Sequence, residues 1–241
     1  MVNVKEQDLA VLSACSREQL TVMAAAGAQV RECYRLLEKT GANVVGQILA
    51  ATDTFYEWNH YPEGDVFDRE SASQYYYHAH RGAELEHGHF HTFIRAAGMK
   101  KGVRPAPYTG TAERPLGSDA IAHLISISMN DEGYPIGLFA VNRWVTGETF
   151  YAAEDVIAML PDFRIEHTFP CLATNMWITA MVRLFAPQIA ALLRERDKSI
   201  AAWQQHYPDR DVFEDRELEM TSYLPISVSR QITTIDRLLR R

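Results

Sequence analysis

Five of the nine histidines in this 241-residue chain lie between His78 and His91. His78 and His80 are separated by one residue, and so are His87, His89 and His91. Successive side chains of a β-strand point to opposite faces, so residues spaced by two line one face. Imidazole is the commonest protein ligand for a metal ion and the usual acid–base group near neutral pH. The spacing predicts two neighbouring strands that turn a bank of imidazoles toward a common pocket.

A hairpin register sharpens this expectation. A turn over 82–85 opposes Arg81 to Glu86, His80 to His87, His78 to His89 and Tyr76 to His91. All five imidazoles then share one face with Tyr76. Opposed Cβ atoms lie about 4.5–5.5 Å apart, close enough for two or three nitrogens to share an ion. Such a face suits Zn²⁺, Fe²⁺ or Cu²⁺ and leaves positions open for water or substrate. The predicted ligands of a divalent first-row ion are therefore His78, His80, His87, His89 and His91. No cysteine lies in the cluster, which argues against a structural zinc-thiolate site. By parity Glu86 faces away from the rings, and Glu84 sits in the turn. Tyr76, set among the imidazoles, could give a proton or a hydrogen bond to a bound ligand.

A second polar group runs from Asn142 to Glu148. Arg143 matches carboxylate or phosphate geometry and could orient an anionic substrate; an Arg143–Glu148 ion pair closing the loop is the equal alternative. Ser126 and Ser128 alternate with Ile125, Ile127 and Met129, which one-sided burial explains. His60, His167 and His206 are isolated and read as surface or satisfied core residues. His123 begins a strand of the same sheet.

The elements that must position these groups follow from capping and periodicity. Ser16 and Gln19 have the spacing of a capping box. Leu20, Met23, Val30, Tyr34 and Leu37 then recur at helical spacing until Thr40 and Gly41. A further helix is expected from about Ala42 to Trp58, and the stretch from His60 to Asp65 reads as a loop by its Pro and Gly. From 71 to 145 the apolar residues alternate, as in strands. His123 to Met129 and Pro135 to Trp144 form a second hairpin around a turn at 130–133. Between the hairpins, Gly98 to Gly117 holds three prolines and four glycines and reads as a long loop. Helices return at 155–160, 175–185, 187–203 and 227–239, with Pro187 suited to a first helical turn. The fold class is α+β. One domain spans 1–241: helical over 1–60, an antiparallel sheet of about four strands over 71–145, and helical over 154–241.

Bulk composition narrows the function. A net charge of −7 argues against nucleic acid as a partner. The acidic N-terminal residues do not read as a signal peptide. Arg183, Pro187 and Gln188 interrupt the most apolar window, Met176 to Leu193, so no membrane span is expected. Cys15, Cys33 and Cys171 are odd in number and far apart, which fits a reducing cytoplasm. A small-molecule substrate is the expected partner, and homo-oligomerisation is compatible with the sequence.

Two resemblances arise at these residues. The strings Gln74-Tyr75-Tyr76-Tyr77-His78-Ala79-His80, Glu86-His87-Gly88-His89-Phe90-His91 and Asn142-Arg143-Trp144-Val145-Thr146-Gly147-Glu148 resemble a bacterial family of uncharacterised proteins. That likeness covers most of the chain from Tyr61 onward and implies no activity. The stretch from His87 to Phe93 is similar to the histidine-triad motif of nucleotide hydrolases and transferases. This second likeness implies that His89 attacks an α-phosphate while the flanking histidines bind phosphate; the spacers Gly88 and Thr92 depart from its apolar pattern. The leading expectation is a metal-dependent enzyme acting on a small polar molecule, with oxidative chemistry favoured over hydrolysis. Its catalytic candidates are His89, Tyr76 and Arg143. The rivals are a metal-free nucleotidyl hydrolase using His89 as nucleophile and a non-catalytic metal or haem carrier.

Overall fold

A computed structural model describes residues 10–52, 54–82 and 86–241. The fold is α+β, built on a six-stranded antiparallel sheet in which every strand pairs with its sequence neighbour. The strands are β1 (Tyr61–Asp68), β2 (Ser73–His78), β3 (Gly88–Arg95), β4 (Ile121–Met129), β5 (Pro135–Val141) and β6 (Met220–Pro225). Six strands correct the expected four. β1 occupies the stretch read as a loop, and β6 returns to pair with β5 after a long helical excursion.

The helices are α1 (Arg17–Glu38), α2 (Val44–Leu49), α3 (Arg143–Thr146), α4 (Ala153–Met159), α5 (Leu172–Leu184), α6 (Ala186–His206) and α7 (Val228–Leu239). α1 starts as its capping box predicts: Ser16 Oγ accepts from the Gln19 N–H at 3.1 Å, and Gln19 Oε1 accepts from the Ser16 N–H at 2.8 Å. Its buried stripe includes Leu20, Met23, Val30 and Leu37. α2 is far shorter than the helix expected to reach Trp58. α5 and α6 meet at a bend of 70°, and no single helix among the described residues is long and apolar enough to cross a membrane.

One face of the sheet forms the main core with the helices. Tyr75, Tyr77, Phe90, Ile125, Ile127 and Leu138 lie on it. Phe90 packs on Trp177 of α5 with ring centres 5.6 Å apart, and the Tyr75 hydroxyl donates to Asn175 Oδ1 at 2.6 Å. Fully burying a ring such as Phe90 contributes about 1.5–3 kcal/mol, so this face fixes the sheet against the helices. The residues alternating with these point the other way, and the histidines are among them.

Candidate metal centre

The central rows of the β2–β3 ladder have the expected register: Tyr76 opposes His91, Tyr77 opposes Phe90, and His78 opposes His89. Tyr76, His78, His89 and His91 therefore project from one face. One ring nitrogen from each of His78, His89 and His91 lies within 4.8 Å of one from each of the others, and all three residues are buried. This group could hold a metal ion.

The ladder ends at His78 and Gly88, and beyond it the parity argument fails. A Cβ on Gly88 would sit 2.5 Å from the Tyr77 hydroxyl and 2.7 Å from the His78 carbonyl, so only glycine fits there. Before that glycine the chain leaves the pleat. His87 turns to the helix side, where its Nδ1 lies 2.6 Å from the Tyr77 hydroxyl and its ring packs on Phe55. Glu86 takes the opposite course and joins the histidine face. The reading that parity turns it away is thus corrected. The Arg81–Glu86 pair exists at 3.7 Å, but on the histidine side. His80 stays adjacent, its ring centre 4.9 Å from that of His78 and 5.1 Å from that of His89, half-buried under Trp58. Glu84 lies outside the described residues.

The hydrogen bonds around the three rings leave metal-binding capacity unused. His89 Nδ1 lies 2.5 Å from Glu86 Oε1, which makes Nδ1 the donor of that pair and turns Nε2 toward the other rings. That Nε2 stands 2.8 Å from His78 Nε2. His91 Nδ1 contacts Ser126 Oγ at 2.9 Å and His123 Nε2 at 3.1 Å. His91 Nε2 and His78 Nδ1 are buried without any partner. An unpaired buried polar atom costs about 1–3 kcal/mol, and a bound cation would remove that cost. The donor set is all nitrogen, as first-row ions accept.

A second layer of residues orients the first. Glu86 is also held by the Ser128 hydroxyl. Burial opposes its ionisation, but the hydrogen bond and charge of His89, then Ser128 and Arg81, hold its carboxyl below the usual range. His123 reaches the site through a β-bulge. Thr92 pairs with Ile125 and Phe93 with His123, so Leu124 is extra and its insertion reverses parity. His123 and Ser126 thus meet the same nitrogen despite their odd spacing. The His123 backbone N–H donates to Glu148 Oε2 at 2.7 Å. Burial raises the Glu148 carboxyl to about 7 against the pull of Arg196.

Burial, then the neighbouring imidazoles of His89, His80 and His60, lowers the His78 pKa to about 2. Burial likewise drives His91 well below its ordinary value, and burial with the charge of Arg196 brings His123 to about 3. All three stay neutral across the physiological range, as metal ligands and their supports must. Tyr76 lies with its ring centre 5.1 Å from that of His91, and burial, then the carboxylates of Asp65 and Glu148, keeps its phenol protonated.

Arg143 stands apart from this group. It is buried at the far end of β5, where Nε donates to the Glu148 carbonyl at 3.0 Å, Nη2 to the Glu113 carbonyl at 2.5 Å, and Nη1 to the Glu214 carboxylate. Its ion pair is with Glu214, not with Glu148. His60, read as isolated, stacks face to face on Tyr76 at 3.6 Å and packs edge-on to His78 at 5.6 Å. Sequence reasoning missed Glu86, His60 and Ser128 as neighbours of the site. Ser126 and Ser128 did share a parity, which was the available signal.

A family model described as a domain of unknown function (DUF6969) matches residues 24–226, and the chain belongs to that family. No curated protein and no solved structure matches it.

Proposed function

We propose that the protein is a metal-dependent enzyme that holds one first-row ion on His78, His89 and His91 and acts on a small polar molecule. The observation that carries this reading is the convergence of three buried imidazoles, two of which keep a nitrogen without a partner. Bound there, iron or copper supplies redox chemistry, and zinc supplies Lewis acidity. The residues around the rings favour the oxidative branch. Among the described residues Glu86 is the carboxylate that contacts the ligands, and it is engaged by His89, Ser128 and Arg81 and poorly placed to activate water as a general base. Glu86 holds the His89 ring in one tautomer, and Ser126 with His123 does the same for His91. Tyr76 stays protonated and can donate a hydrogen bond to a bound molecule. The three unpaired cysteines suit a reducing cytoplasm.

The histidine-triad reading loses its support at His87. That reading needs three imidazoles in a row on one strand face, and His87 sits with Tyr77 on the other side. Elemental analysis of protein purified without an affinity tag tests the proposal. The expected result is about one iron, copper or zinc ion per chain, lost in His89→Ala. Wild-type protein that binds none of these ions after reconstitution would overturn it. Stoichiometric but freely exchangeable metal without turnover would replace the enzyme with a carrier.

A further inference from the structure

β1 carries a large irregularity beside the histidines. The paired rows Tyr61–Tyr77 and Val66–Tyr75 enclose one residue on β2, Tyr76, but four on β1, Pro62 to Asp65. The surplus is pushed out of the sheet, with Gly64 and Asp65 both left-handed at φ 81° and 59°. Asp65 has no glycine-like freedom, so the surrounding contacts must hold that conformation.

The displaced segment forms one wall of an open groove of about 1230 Å³. The rest of the lining comes from α2 and the chain after it, including Thr52, Thr54 and Tyr56, and from Phe169 and Pro170 before α5. His60 also lines the groove while its ring stacks on Tyr76 and meets His78 edge-on. It is the partition between the groove and the histidine centre. Asp65 fixes that partition: Oδ1 lies 3.1 Å from His60 Nδ1, and Oδ2 accepts from Gln74 Nε2 at 2.5 Å.

The lining has a definite chemical character. Among the described residues it contains no lysine or arginine. The Glu63 carboxylate has neither an ion pair nor a hydrogen bond among the described residues. Tyr56 and Phe169 expose 59% and 57% of their surfaces. A groove lined by an unpaired carboxylate and exposed aromatic residues has the composition that recognises ammonium groups, through charge and cation–π attraction.

We infer that this groove binds a small organic cation, an ammonium compound with an apolar portion, and presents it to the metal centre across His60. As the identity of the substrate this rests on the metal-enzyme reading; as a binding site it needs no metal. The same lining disfavours an anionic substrate, because among its described residues no lysine or arginine offsets the charge of Glu63.

Calorimetric titration of full-length, EDTA-treated protein tests the inference with three probes of similar size: benzyltrimethylammonium, benzyl alcohol and benzoate. The quaternary nitrogen has no lone pair, so the first probe cannot bind by ligating a metal. The expected result is one site per chain for the cation, about tenfold weaker binding of the alcohol, and none of benzoate. Glu63→Gln should weaken the cation about tenfold and leave the alcohol unchanged, while His89→Ala should leave both unchanged. Raising salt from 0.05 to 0.5 M should weaken only the cation, since exposed charge pairs are screened. Benzoate binding as tightly as the cation, or cation affinity indifferent to both Glu63→Gln and salt, would overturn the inference. Metal bound with no preference for the cation sinks the groove alone; cation selectivity in a protein that never takes metal sinks the metal centre alone.

Discussion

Arg143, at the start of α3 just past β5, and His91, on β3, are both buried, yet the first is saturated and the second is not. All of Arg143's nitrogens find acceptors: two backbone carbonyls and the Glu214 carboxylate. Asn142 and Trp144 beside it are engaged too, with Asn142 Nδ2 donating to the Val212 carbonyl at 2.7 Å and Trp144 Nε1 to the Leu218 carbonyl at 2.9 Å. This cluster ties β5 to the segments around Glu113 and Glu214, and the guanidinium keeps no nitrogen free for a ligand. The histidine centre is built from equally buried groups but keeps two unpartnered nitrogens facing no protein acceptor or donor. Both regions are polar, enclosed and rich in functional side chains. Unused ring nitrogens at the histidines, against a fully engaged guanidinium at Arg143, separate the region suited to chemistry from the one that holds the fold.

The contrast breaks most visibly at Arg143. Arg143→Met removes one partner of a buried ion pair and should cost about 3 kcal/mol or more of unfolding free energy, measured by urea denaturation. Metal bound per folded chain should not change. Unaltered stability, or lost metal in a folded variant, would remove the division between the two regions.

Acid should act on the histidine region with a defined sign. His78, His91 and His123 have folded pKa values below the ordinary 6.5, so each contributes stability that is present above that value and is lost as pH falls below it. The slope is on the order of 1.4 kcal/mol per pH unit for each histidine. Glu148 acts in the opposite sense: its raised carboxyl favours the fold at low pH and loses that contribution as pH rises through about 7. Three histidines outweigh one carboxyl, so metal-free protein should lose stability steadily below pH 6.5. A flat profile between pH 6.5 and 5 would show that the imidazoles are not held neutral.

Glu86→Gln keeps the size of the side chain and removes the charge that orients His89. Metal affinity should fall about 10–100-fold, read by competition with a chelator, while the ligand count stays the same. The smallest effect belongs to His87, which lies outside the converging set. His87→Ala loses one hydrogen bond to Tyr77 and should cost about 1 kcal/mol, with metal affinity unchanged. A metal-binding defect in His87→Ala as large as that of Glu86→Gln would put His87 back into the centre.

The site was legible in the sequence wherever the chain stays in the pleated ladder. Tyr76, His78, His89 and His91 share a face because a period of two is all that a regular antiparallel pair requires. The same rule failed at Glu86 and His87, where Gly88 allows a backbone approach that a side chain would block. It failed again at His123, where Leu124 adds a residue to one strand only. β1 was hidden because Pro62 and Gly64 are turn signals, and here they mark a bulge inside a strand. β6 is short, and its partner β5 lies some eighty residues earlier, a separation local pattern does not encode. The start of α1 was legible, since the capping box at Ser16 is local chemistry.

X-ray absorption at the metal edge, on protein prepared without a tag, puts the convergence of His78, His89 and His91 to its most direct trial. Three imidazole nitrogens at about 2.0–2.1 Å are expected in the first shell, falling to two in His91→Ala. A shell of oxygen or sulfur donors, or a spectrum that the substitution leaves untouched, would contradict the account.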